Sequence, residues 1–119
     1  MKILPILFTL IIFSPLANAV SFDCKKAASF VEHEICNDSL LGRLDDALSE
    51  NYSYMLASDI GSGAKKDLKK TQKSWLSARN MCTNNKCILD AYRKRIDEVC
   101  EYPVISGVHP MCTSSDSIN

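Results

Sequence analysis

The chain has 119 residues, 46% of them hydrophobic, and its 14 basic residues are balanced by 14 acidic ones, the composition of one small globular domain and not of a disordered or collagen-like chain. Zero net charge supplies no overall field toward DNA, RNA or an anionic membrane, so no nucleic-acid partner is expected. Only four glycines occur and neither G-x-G-x-x-G nor G-x-x-x-x-G-K-[ST] is present, which removes the loops that cradle nucleotide phosphates.

Residues 1–19 have the pattern of a secretory signal peptide. Lys2 is the positive start, Ile3 to Phe13 form an apolar run, and Pro15-Leu16-Ala17-Asn18-Ala19 closes with an A-x-A pattern. The run is shorter than the roughly 20 apolar residues of a spanning helix, and no second apolar stretch follows. The expectation is cleavage after Ala19 and a periplasmic or secreted protein with no integral membrane segment. Cys24 follows Ser21-Phe22-Asp23, which is not a small-residue lipobox, so a lipid anchor is not expected.

Cys24, Cys36, Cys82, Cys87, Cys100 and Cys112 all fall in the mature chain. An even cysteine count in a small exported domain predicts three structural disulfides. Six cysteines allow 15 pairings, and proximity along the chain favours 24 with 36, 82 with 87, and 100 with 112. There is no C-x-x-C, and the two histidines, His33 and His109, are far apart. No metal and no cofactor are expected.

Ser29 with Glu32 forms a capping-box pattern that opens a short helix ending near Cys36. Asp38 is a fitting N-cap for a long helix whose stripe runs Leu40, Leu41, Leu44, Ala47, Leu48, Tyr52, Met55 and Leu56. Gly61-Ser62-Gly63 then breaks the chain before a helix carrying Leu68, Gln72, Trp75, Leu76 and Arg79, with Lys65, Lys66, Lys69, Lys70 and Lys73 expected on the face away from Trp75. Beyond the Cys82–Cys87 loop, Ile88, Ala91, Tyr92, Arg95, Ile96 and Val99 share a helical face, and Asp90 with Lys94 has the spacing of an i,i+4 ion pair. Residues 101–119 read as an irregular tail whose end, Thr113 to Asn119, is expected to be mobile. The fold class is all-α: a small disulfide-braced antiparallel helical bundle with an irregular C-terminal tail.

Trp75, the only tryptophan, is expected to anchor the core. Asp45, Gln72, Arg79, Asn80, Tyr92 and Arg95 sit on or beside apolar stripes and are expected to form a satisfied polar network. Arg79 is its expected hub, bridging Asp45 or Glu32 with two parallel bonds. Catalysis is not expected. The acids lie mostly on wet helix faces and not in facing pairs, and no serine or cysteine is placed for activation by His33 or His109.

Phe22-Asp23-Cys24, Ala27, Ile35-Cys36-x-Asp38 and Leu41-x-x-Leu44-Asp45-x-x-Leu48-x-x-x-Tyr52 form an ordered series. Leu68-x-x-x-Gln72-x-x-Trp75-Leu76-x-x-Arg79-Asn80-x-Cys82 continues it through Cys87 to Tyr92-x-x-Arg95-Ile96. This series resembles the lysozyme-inhibitor LprI-like family of small exported bacterial proteins, over residues 22 to 97. Cys100 and Cys112 lie outside the shared pattern. The resemblance implies a helical domain over residues 20–100 that binds a lysozyme or another cell-wall hydrolase and blocks its cleft without doing chemistry.

Residues 20–59 hold eight acids against three bases, while residues 60–95 hold ten bases against Asp67 and Asp90. For a basic lysozyme partner, Asp45, Asp46 and Glu50 are the expected steering residues, and Arg43 and Arg93 the expected exposed insertion residues. The alternative expectation is an envelope-maintenance or toxin-neutralising, immunity-like protein, which meets a bacterial cell-wall enzyme or an anionic envelope surface through Lys65, Lys66, Lys69 and Lys70.

Overall fold

The computed structural model describes residues 20–119, so the expected signal peptide lies outside the described residues. Local capping starts the helices where the sequence signals them. Ser29 Oγ accepts from Glu32 N at 3.1 Å, and the Glu32 carboxylate accepts in return from Ser29 N, which opens α1 at Phe30–Asn37. Asp38 ends that helix and begins the next, its side chain accepting from the amides of Leu40 and Leu41 at the head of α2, Ser39–Ala57. Gly61, at φ 88°, turns the chain into α3, Ser62–Arg79. A side chain there would be strained, and its Cβ would meet Ile105 Cδ1 at 3.0 Å. Asn84 caps α4, Asn85–Glu98, by accepting from Cys87 N.

The core lies between α2 and α4. Leu41, Leu44, Leu48 and Met55 of α2 meet Ile88, Tyr92 and Ile96 of α4 together with Val99, all buried, and Val31 and Ile35 of α1 close one end. Each such side chain contributes roughly 1.5–3 kcal/mol on leaving water. α3 is different: it buries only one aliphatic residue, Leu68, along with Arg79. It leans on α4 and hardly touches α2. The result is all-α, four helices with no strand among the described residues.

Three disulfides join Cys24 to Cys36, Cys82 to Cys87, and Cys100 to Cys112, as proximity predicts. They pin the N-terminal 3-10 turn Cys24–Lys26 to α1, close the α3–α4 connection, and cyclise the segment after α4. Such bonds mark an oxidising, extracytoplasmic compartment.

Two expectations are corrected. Asp90 pairs with Lys86 at 2.6 Å and Lys94 with Glu98 at 3.7 Å, so the anticipated Asp90–Lys94 pair gives way to one turn on either side. The C-terminal segment is irregular but docked. Buried Asn51 of α2 donates to Thr113 O at 2.9 Å and accepts from Thr113 N at 3.0 Å. Asp97 accepts from both Ser115 N and Ser115 Oγ, and Ile118 joins the core. The end of the tail, Thr113 to Asn119, stays because its backbone polar groups find side-chain partners and its one aliphatic residue, Ile118, finds cover.

Candidate functional site

The weak contact between α2 and α3 leaves a groove between them of about 510 Å³, a volume within the small-molecule range. Leu48, Tyr52, Trp75 and Leu76 give its apolar surface, with Ser21, Ser49 and Gln72 among the polar groups. Lys69 and Lys73 also line it, so these two of the five α3 lysines border the Trp75 face, where all five were expected on the face away from it. Positions 69, 72, 73 and 76 follow the i, i+3, i+4, i+7 spacing of one helical face. Among the described residues, no lysine of α3 lies in an ion pair.

Asp45 reaches the groove wall but is only 3% exposed. Its Oδ1 accepts from the Tyr92 hydroxyl at 2.7 Å and Ser21 Oγ at 3.0 Å, and its Oδ2 from Ser21 N at 2.5 Å. Behind it, Arg79 Nη1 donates to the Tyr92 oxygen at 2.9 Å, while Nε and Nη2 donate to Asn80 Oδ1 at 3.2 and 2.8 Å. Arg79 is therefore a hub, though not by the expected direct fork: its charge reaches Asp45 through a tyrosine, and its parallel bonds go to the neighbouring amide. Burial above all, then the Asp45 charge, pushes the Tyr92 phenol far above its ordinary range. A second group joins α3 to α4, with Arg95 Nε donating to Gln72 Oε1 at 2.9 Å and Nη2 to Thr71 Oγ1 at 3.0 Å. Trp75 is half-buried; its Nε1 donates to Ala91 O at 3.2 Å and its ring meets Tyr92 edge-on at 4.9 Å.

The structure separates the five expected partner residues. Asp45 is buried and its carboxylate is engaged in the network. Arg93 donates to Ser115 O at 2.6 Å and Ile118 O at 3.1 Å, and Arg43 donates to Asn119 O. Both arginines hold the C-terminal segment. Glu50 remains exposed. Asp46 is partly covered with its Oδ1 unpartnered, and burial, then Asp45, then Glu50, raise its carboxyl above the usual range.

One element escaped the sequence reading. The loop closed by Cys100–Cys112 stands on Asp59, which accepts from Ile105 N at 2.7 Å, and on Asp67, which accepts from the Tyr102 hydroxyl at 2.5 Å. Its tip displays Ile105, Val108 and Met111, the last two 93% and 94% exposed. The only available signal was an apolar run bounded by Pro103 and Pro110 without a single acid or base between Tyr102 and Cys112 apart from His109. Among the described residues no group of three or more His, Cys, Asp or Glu gathers into a potential metal site, and no helix is long and apolar enough to cross a membrane.

No protein-family model matches the chain, and no solved structure does. Curated proteins do match. The chain is a distant homologue of Lipoprotein LprI of Mycobacterium tuberculosis and of Mycobacterium bovis, 30% identical over 104 residues. The alignment covers 84% of this chain and 50% of the relative, so the chain spans half the length of the curated relatives it matches.

Proposed function

We propose that this distant homologue of Lipoprotein LprI is an exported, periplasmic inhibitor of a lysozyme or related muramidase, acting by occlusion and not by chemistry. The observation that carries the reading is the homology across most of the chain, which agrees with the resemblance of the cysteine and helix pattern to the lysozyme-inhibitor family. An enzyme cleft is concave, and the element of this fold suited to enter one is the cyclised loop with Val108 and Met111 at its tip. The stretch between Tyr102 and Cys112 carries no carboxylate that cleft acids would repel, the loop's one acid, Glu101, standing at its base beside Cys100. Glu50 and Asp46 on α2 supply the steering charge toward a basic enzyme, while Arg43 and Arg93 keep the tail in place.

The test is lysis of cell-wall substrate by a c-type lysozyme with increasing amounts of the oxidised protein. Dose-dependent protection is expected, weakened at least tenfold by Val108→Asp with Met111→Asp and reduced by added salt. Full lysis at a large molar excess would overturn the reading for c-type lysozyme. Unchanged inhibition by the loop variant would remove the loop from the interface.

A further inference from the structure

The α2–α3 groove has a chemistry that an occluding protein does not need. Its walls are aromatic and aliphatic, and two ammonium groups four residues apart share the α3 side. Neither Lys69 nor Lys73 has an ion-pair partner among the described residues. The one carboxylate that lines the groove, Asp45, already accepts three hydrogen bonds and is almost fully buried, so it presents little negative surface to the groove. The unspent charge is positive and the unspent surface apolar.

We propose that this groove binds a single-chain lipid phosphate, with the alkyl chain along Leu48, Tyr52, Trp75 and Leu76 and the headgroup between Lys69 and Lys73. A phosphate monoester carries about −1.5 to −2 charges near neutral pH, which two lysines match, and lysine is a point-charge binder of phosphate. A volume of about 510 Å³ is that of a small-molecule site. Lys65, one turn before Lys69, extends the positive row along the same ridge and would draw anionic headgroups toward it. The proposal is independent of lysozyme inhibition.

Trp75 is the only tryptophan and lines the groove, so its fluorescence reports occupancy directly. The oxidised protein would be titrated with decyl phosphate below its micelle concentration, with decanol, decanoate and inorganic phosphate in parallel. A saturable change with decyl phosphate is expected, with binding at least tenfold weaker for each of the other three. The K69A/K73A double variant, both positions being exposed, is expected to raise the Kd for decyl phosphate at least tenfold. Leu76→Asp, also at an exposed position, is expected to abolish saturation, with circular dichroism confirming unchanged helix content. Absence of saturation with decyl phosphate, equal binding of decanol or of decanoate, saturation by inorganic phosphate alone, or an unchanged Kd in the lysine variant would each overturn the proposal. Lysozyme inhibition, measured on the same variants, is expected to persist, which separates failure of one reading from failure of the other.

Discussion

The Tyr92 hydroxyl donates to Asp45 Oδ1 at 2.7 Å while accepting from Arg79 Nη1 at 2.9 Å, so one phenol from α4 joins a carboxylate of α2 to a guanidinium of α3. The three helices have no other shared polar link of this kind among the described residues. Because α3 hardly touches α2 directly, this relay is a polar tie between them that runs through α4.

Tyr92→Phe keeps the packed ring and removes the relay. Asp45 retains its two Ser21 bonds, but the buried Arg79 Nη1 loses its partner. The expected loss is about 2–4 kcal/mol, the range for a buried charged group deprived of a hydrogen bond, measured by urea denaturation. A change under about 0.5 kcal/mol, typical of a neutral surface substitution, would show that the relay contributes nothing to stability. Trp75, in contact with the Tyr92 ring at 4.9 Å, provides the fluorescence signal.

The docked tail depends on Asn51. Its side chain meets both backbone groups of Thr113 and also donates to Ile96 O at 3.2 Å. Asn51→Ala leaves these groups unpaired and opens a small void, with an expected cost of about 2–3 kcal/mol. Hydrogen exchange would locate the effect. The amides of Thr113, Ser115 and Ile118 are expected to lose protection together, while those of α1 keep theirs; protection unchanged at Ser115 would show that Asp97 and Arg93 hold the tail without Asn51.

Asp46 makes stability depend on pH in a definite direction. Its folded carboxyl is raised from the ordinary value of 3.8 by burial, then by Asp45 and Glu50. A raised carboxyl means that the ionised form is penalised in the native state. The penalty is therefore present above the raised folded value and disappears as pH falls to the unfolded one. Asp46→Asn is expected to stabilise the protein by about 0.5 kcal/mol at pH 7, a typical surface-site magnitude, with the advantage gone by pH 3. Thermal unfolding across pH 3 to 8 checks this, and a variant less stable than the parent at pH 7 would contradict it.

The helix boundaries were legible because their causes are local. Ser29 and Glu32 are three residues apart, Asp38 caps the amides of Leu40 and Leu41, and an apolar stripe repeats every three or four positions whatever surrounds it. The disulfide pairs were legible for a similar reason, since each closes a short stretch of chain. Chemistry at the surface was not. Asp45 and Asp46 are neighbours of identical type, yet a long-range tyrosine consumes one and leaves the other with an unpartnered oxygen.

What the sequence determined by itself was the all-α class, the starts of α1 and α2, the three cystine bridges and the distant kinship with LprI, all written in local spacing and residue order. The tertiary structure alone decided that Arg43 and Arg93 hold the tail, that Lys69 and Lys73 share a groove with Trp75, and that Val108 and Met111 stand exposed. The physical reason is sequence distance. Each of these outcomes is set by a partner more than twenty residues away or by the absence of one, and α3, with Leu68 as its single buried aliphatic side chain, has too little apolar surface to close against α2.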